Sequence, residues 1–122
     1  MPVEDYQEVE LTIPAGAAIS AAKNVSGPIV AVYIPSGWTA ARLGFDGWVT
    51  GSTYAPLRTS AGALVGVAGI STSAAGWYAV PEQAATGVSK SIKLTSFNTA
   101  SEVAVNQVSA MTIKVRFGSR LI

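Results

Sequence analysis

The chain contains no histidine and no cysteine, so it lacks the side chains that most often act as general bases, nucleophiles or metal ligands near neutral pH. Without cysteine it has neither a disulfide framework nor thiol chemistry. Charge is also scarce, since 12% of the residues are charged and the formal net charge is +1. Such a chain has no strong field to attract nucleic acid or an anionic membrane. These absences favour a protein with no catalytic residues, no metal and no cofactor.

Long hydrophobic runs are missing as well. The longest apolar stretches, 28–35 and 63–70, fall far short of the roughly 20 residues that a membrane-spanning helix needs. The first six residues include two acidic residues and no basic one, whereas a signal peptide begins with basic residues. We therefore expect no membrane partner and no secretory export.

Charge is concentrated at the two ends of the chain. Residues 1–10 carry a net charge of −4, and residues 83–122 hold five basic residues against one acidic residue, a net charge of +4. One interpretation places the two ends on neighbouring strands of one sheet, where opposite charges face each other. Another is an acidic N-terminal arm, residues 1–8, that orders on assembly against a basic face of the next subunit. The residues expected to make subunit contacts, or contacts within a larger assembly, are Glu4, Asp5, Glu8, Glu10, Lys93, Lys114 and Arg116.

The hydrophobic pattern predicts β-strands throughout. Residues 111–117 alternate between apolar and polar side chains, and residues 8–13 and 91–95 do the same, which is the period of a half-buried strand. The continuous apolar run Ile29–Ile34 is typical of a central strand buried on both faces. Shorter candidates are 43–49, 54–59, 64–67 and 76–80, and the only helical signal is a single turn near 81–87. We predict one all-β domain, residues 1–122, that forms an antiparallel β-sandwich or jelly roll of about eight strands.

Enzymatic chemistry finds little support in the remaining polar residues. Asp46, Glu82 and Glu102 are the acids outside the N-terminal segment, and no local spacing brings two of them together as a hydrolytic pair. A serine nucleophile would lack its histidine base. Lys90 and Ser91 are adjacent, so on a strand they point to opposite faces. We expect no enzyme.

The aromatic residues have two interpretations. In the first, Trp38 and one of Trp77 and Tyr78 fill the core, while the others lie in subunit contacts, where Trp and Tyr are enriched. In the second, indole and phenol rings line a sugar-binding surface. Its candidate residues are Trp48, Tyr54 and Trp77.

Several short strings follow the acidic segment: Leu11–Gly16, Ile19-Ser20, Pro35–Ala41, Leu43–Phe45, Tyr54 with Leu57, Ile92–Ser96, Val105–Gln107 and Thr112–Val115. Together they resemble a group of short structural proteins encoded in the virion gene clusters of tailed bacteriophages. Similar proteins carry Ser-x-Asp-Gly between the Leu-x-Phe and Tyr-x-x-Leu strands. Residues 46–53 depart from that pattern.

The resemblance implies a jelly-roll module that acts as capsid cement, head fibre or tail decoration. We therefore expect a non-enzymatic capsid cement or decoration protein that binds the outer head shell as a small homo-oligomer, such as a trimer. Its partner would be the major capsid protein or another virion protein, and its location the virion, assembled in the host cytoplasm. Some similar proteins look like galactose-binding sandwich domains. The alternative is accordingly a tail or fibre module that binds host carbohydrate through its surface aromatics.

Overall fold

The computed structural model describes residues 3–25, 28–81, 90–98 and 100–121, and these residues form nine strands without a helix. The strands are β1 (Val3–Ile13), β2 (Lys23–Val25), β3 (Ile29–Ile34), β4 (Arg42–Thr50), β5 (Thr53–Pro56), β6 (Gly66–Val67), β7 (Gly76–Ala79), β8 (Lys90–Phe97) and β9 (Met111–Leu121). Within the described ranges, no helix is long and apolar enough to cross a membrane.

The strands are arranged as a jelly roll. One sheet has the order β1-β9-β3-β7 and the other β2-β8-β4-β5, with the short β6 also paired to β4. The antiparallel pairs β4/β5, β3/β7, β2/β8 and β1/β9 form one long hairpin, and its successive strand pairs alternate between the two sheets. This topology confirms the predicted all-β sandwich, with β2 as a short strand that the hydrophobic pattern did not reveal.

The core lies between the two sheets and is built from alternate residues of the long strands. Trp38, from the β3–β4 loop, is 1% exposed, and its Nε1 donates to the carbonyl oxygen of Ala41 at 3.0 Å. A buried indole therefore keeps its one donor satisfied. The inward-facing residues around it include Leu11, Ile13, Ile29, Val32, Ile34, Leu43, Phe45, Ile92, Leu94, Ile113 and Val115.

Strand β3 differs from its prediction. It is an inner strand between β9 and β7, but Val30, Ala31 and Tyr33 are only partly buried. The prediction of burial on both faces is therefore wrong. The outer face of the sheet is covered by large side chains from neighbouring strands, and by no second layer among the described residues. The predicted turn near 81–87 lies almost wholly outside the described residues.

The acidic N-terminal segment is part of the first sheet. Residues 3–13 pair with 111–121 of the same chain along the whole of β1. The pairing sets Glu8 opposite Arg116 and Glu10 opposite Lys114. The interpretation that the charged ends lie on neighbouring strands is confirmed. In the structure, residues 3–8 are part of strand β1. The other interpretation placed these residues in an arm that orders on assembly.

The loops at one end of the sandwich are tied together by Gln107. Its side chain is fully buried, accepts from the Thr39 backbone N–H at 2.8 Å and donates to the Thr39 carbonyl at 3.2 Å. Its backbone accepts from Gly16 N–H and donates to the Ala17 carbonyl. Three strings on which the resemblance depends, around residues 11–16, 35–41 and 105–107, therefore meet at this one glutamine.

Candidate functional site

The outer face of the β1-β9-β3-β7 sheet, here called the first face, carries an aromatic and ionic ladder. Arg116 donates to Glu8 Oε2 from Nε at 3.1 Å and from Nη2 at 2.7 Å. The same guanidinium lies 4.2 Å from the centre of the Trp77 ring. The ion pair and the stacking restrain Arg116 from both sides, so this part of the surface is preorganised.

A second stack continues the first face. The rings of Tyr33 and Trp77 are 5.5 Å apart between centroids and tilted by 59°. Lys114 Nζ lies 5.9 Å from the Tyr33 ring. Trp77 remains 44% exposed. The first face therefore offers an exposed indole stacked with Arg116 and next to Tyr33, and Trp, Tyr and Arg are the side chains that dominate contact energies at protein interfaces.

The outer face of the β2-β8-β4-β5 sheet, here called the second face, has a similar arrangement. Lys90 Nζ lies 4.2 Å from the centre of the Trp48 ring, and Lys93 Nζ lies 4.7 Å from that of Tyr54. Tyr54 also shares a 2.8 Å hydrogen bond with Ser91. Each such cation–π contact at an exposed position contributes about 0.5–1 kcal/mol.

Two backbone features position these rings. The hairpin between β4 and β5 sets Trp48 opposite Tyr54, and Trp48 Nε1 donates to the Gly51 carbonyl in the turn at 2.9 Å. Gly51 has a φ of 54°, in the left-handed region, which glycine adopts at little cost. Lys90 also has a positive φ, 78°, and this costs a residue with a Cβ about 1–2 kcal/mol. The positions of Trp48 and Lys90 thus depend on local backbone conformation as well as on the sheet.

Next to Trp48 and Tyr54, the second face contains a pocket of about 410 Å³. Phe97 forms part of its floor because Gly44 and Gly66 leave space for the ring. A Cβ built on Gly44 would lie 2.8 Å from Phe97 Cε1, and one on Gly66 would lie 2.8 Å from Phe97 Cζ. Gly44 therefore permits close packing against Phe97, and strand β4 is continuous through this position. The apolar lining is completed by Ala18, Ile19, Pro56, Leu64 and Ala104.

Three charged side chains line the same pocket. Glu102 Oε2 accepts from the Leu64 N–H at 2.8 Å, and its Oε1 lies 3.6 Å from Arg58 Nη1. Arg58 also donates to the Gly62 carbonyl at 2.8 Å. Asp46 is partly buried, and this burial raises the pKa of its carboxyl group, while nearby Lys93 lowers it. The pocket thus combines apolar walls with one engaged and one partly desolvated carboxylate.

The residues predicted for assembly contacts are divided between the two faces. Glu8, Glu10, Lys114 and Arg116 lie on the exposed side of β1 and β9. Lys93 lies on the second face, beside Tyr54. Glu4 and Asp5 pair through the β1 backbone with Arg120 and Ser119, and their side chains lie outside the described part of the chain.

The predicted aromatic residues are also divided. Trp48 and Tyr54 are neighbours on the second face, whereas Trp77 lies on the first face. The three residues therefore do not form one sugar site. Trp38 is buried, and Tyr78 packs against the core while Trp77 is exposed. This division confirms the core assignment in the first interpretation of the aromatics.

The carboxylates behave differently from their prediction. Sequence spacing brought no two of them together, but the structure brings Asp46 and Glu102 to one pocket. The cause is non-local pairing of strands. Glu82 lies outside the described residues. Among residues that the structure describes, no three acids, cysteines or histidines are grouped so as to hold a metal ion.

The pocket residues Arg58 and Phe97 were not found from the sequence. For Phe97, the signal in the sequence was Gly44, a glycine within the apolar segment 43–49 that leaves the space occupied by the Phe97 ring. Comparisons with protein-family models, with curated proteins and with solved structures found no match for this chain.

Proposed function

We propose that this protein is a non-enzymatic structural component of a tailed-bacteriophage virion, specifically a capsid decoration (cement) protein. It binds the outer head shell as a small homo-oligomer, such as a trimer. The resemblance carried by the strings along the chain motivates this proposal, and their meeting around Gln107 supports it. Jelly rolls also occur in viral capsid domains, which is an argument by analogy because a fold does not define a function.

The observation that carries the proposal is the presence of cation-stacked aromatic rings on both outer faces. Trp77 with Arg116 and Trp48 with Lys90 lie on different sheets of the sandwich. A protein that links neighbouring subunits needs two separate binding surfaces. One contacts the shell, and the other contacts another copy of the protein or another shell subunit. Burying such surfaces stabilises an assembly by about 25 cal/mol per Å² of apolar area.

The charged residues fit the same role. On the first face, Arg116 is already neutralised by Glu8, so an approaching subunit does not meet a bare charge. Glu10 on β1 lies opposite Lys114 on β9. These two charges can set the register of the contact between the first face and an approaching subunit. Glu4, Asp5 and Lys93 complete the proposed contact set.

The first test is binding to capsids that lack the protein. Wild-type protein is expected to co-sediment with purified capsids and to form a discrete oligomer by light scattering. Trp77→Ala and Trp48→Ala are each expected to weaken capsid binding or oligomerisation. A ring at the centre of an interface gives a loss of roughly 30-fold, which is equivalent to about 2 kcal/mol. Val108→Ala, at a loop residue that is 78% exposed, is the control and is expected to change nothing.

Two results would contradict the proposal. One is a protein that stays monomeric and never co-sediments with capsids. The other is turnover of a cell-wall polysaccharide that Asp46→Asn or Glu102→Gln abolishes. A reconstruction of the particle would also separate a head location from a tail location.

A tail or fibre module that binds host carbohydrate is the second candidate. It is favoured by the position of Trp48 and Tyr54 beside the 410 Å³ pocket. In this case a glycan array gives a hit, and Trp48→Ala reduces adsorption while Trp77→Ala, on the other face, does not. An array without a hit would count against it.

A further inference from the structure

In the pocket on the second face, the Asp46 carboxylate lies near the Lys93 charge on the adjacent strand but forms no ion pair with it. Among the described residues, no hydrogen bond or ion pair reaches the Asp46 carboxylate. Its neighbour across the strands is Lys93, but that ammonium lies 4.7 Å from the Tyr54 ring centre and forms no ion pair within the described ranges. A partly buried carboxylate without a donor is unfavourable, so this position is suited to receive a donor from outside.

The other charges of the pocket are already engaged. Glu102 accepts the Leu64 N–H and faces Arg58, which also donates to the Gly62 carbonyl. The loop that carries Glu102 is held by Asn98, whose Oδ1 accepts from the N–H groups of Ala100 and Ser101. Asp46 is therefore the acid of the pocket lining that accepts no hydrogen bond from a described residue.

The apolar lining of the pocket is complementary to the aliphatic part of a long side chain. Ile19 is 43% exposed, whereas Phe97 is nearly buried, so an incoming side chain would remove apolar surface from water mainly at Ile19 while it contacts the Phe97 ring. An anionic group would meet Asp46 unfavourably, whereas the Glu102 charge is already compensated by Arg58. A long side chain with a cationic end is complementary to both the walls and the charge.

We propose that this pocket receives an arginine side chain of a partner protein, with the guanidinium beside Asp46 and the aliphatic stem against Phe97. Arginine is chosen over lysine because its planar group can donate to both oxygens of a carboxylate at once and is less strongly hydrated than an ammonium. On the proposed function, on which the identity of the partner rests, the arginine belongs to a protein of the head shell. The positive charge of the guanidinium would also counteract the effect of burial, which now raises the pKa of Asp46.

The test uses the full chain, labelled with ¹⁵N, and two small probes observed by NMR. Nα-acetyl-arginine amide carries the guanidinium, and Nα-acetyl-citrulline amide is its neutral counterpart of nearly the same shape. The arginine probe is expected to shift amides of Asp46, Phe97 and Glu102 saturably. The citrulline probe is expected to bind at least fivefold more weakly.

Matched variants assign the charge. Asp46→Asn is expected to weaken binding of the arginine probe at least fivefold. Asn106→Ala changes an exposed polar residue outside the proposed contact set and is expected to leave binding unchanged. The unperturbed amide spectrum of each variant establishes that it is folded.

Three results would overturn the inference: equal binding of the two probes, no effect of Asp46→Asn, or shifts confined to the first face. Tighter binding of methyl galactoside than of the arginine probe, at the same amides, would also overturn it in favour of a sugar site. Capsid binding is read separately. If the arginine preference holds but wild-type protein does not co-sediment with capsids, the proposed function fails and the pocket assignment stands.

Discussion

The buried side chain of Gln107 provides the sharpest test of how this fold is held together. Replacing it with leucine keeps much of its volume but removes both the acceptor for the Thr39 N–H and the donor to the Thr39 carbonyl. The backbone bonds of residue 107 to Gly16 and Ala17 do not depend on the side chain. The substitution therefore isolates the link between the β8–β9 loop and the β3–β4 loop.

The expected cost follows from the two backbone groups of Thr39 that would lose their partners. An unsatisfied, partly buried polar group costs about 1–3 kcal/mol, and Thr39 is partly buried. For Gln107→Leu we expect a loss of about 2–4 kcal/mol in the free energy of unfolding, since the leucine regains some apolar burial. At about 4 °C per kcal/mol for a domain of this size, Tm falls by about 8–16 °C.

Urea denaturation followed by tryptophan fluorescence measures this loss, with Asn106→Ala as the control because Asn106 is exposed. The control is expected within about 0.5 kcal/mol of wild type. Gln107→Glu adds a pH-dependent check: an ionised carboxylate faces the Thr39 carbonyl, whereas a protonated one can donate to it. Its deficit relative to wild type should therefore shrink at acidic pH. If Gln107→Leu costs no more than the control, the glutamine does not hold the loops together.

Three further predictions test other contacts. Gly44→Ala should lower the unfolding free energy by about 1–3 kcal/mol, because the new Cβ would lie 2.6 Å from a side-chain oxygen. Gly76→Ala has open space around it and should be neutral or slightly stabilising. Equal costs of the two substitutions would refute the packing argument. Asp46→Asn should stabilise the fold at neutral pH, because burial raises the pKa of Asp46 above its usual 3.8 and protonation favours the folded state. In pH-dependent melts this gain should vanish as pH falls through the raised pKa, and a gain that grows at low pH would contradict it. Glu8→Gln removes the ion pair with Arg116 and should lower the unfolding free energy by about 0.2–1 kcal/mol. If this loss is the same in about 1 M salt, which screens exposed ion pairs, the ion pair is not its cause.

The long strands were predictable because their burial pattern is local. The alternation at residues 111–117 reappears as buried Met111, Ile113, Val115 and Phe117. Strand β2 escaped because three residues are too few for a period to appear. The prediction from the apolar run of β3 was wrong because Tyr33 and Ala31 lie beside Trp77 and Arg116 of the neighbouring strands and, among the described residues, under no second layer.

No local sequence pattern could predict how the candidate site residues are divided between the two faces. Parity along a strand tells which residues share a side of that strand, and it separated Trp77 from Tyr78 correctly. It cannot tell which sheet the strand enters. Lys93 and Arg116 therefore looked equivalent in sequence, yet they lie on opposite faces of the sandwich.

The sequence by itself determined the β-rich character, the long strands, the buried Trp38 and the absence of histidine and cysteine chemistry, because each depends on residue type or on near neighbours. The tertiary structure alone decided that Glu8 meets Arg116, 108 positions away, and that Asp46 and Glu102 line the pocket floored by Phe97. Those contacts depend on the register of strand pairs distant in the chain. That register is set by which arrangement of both sheets buries the core.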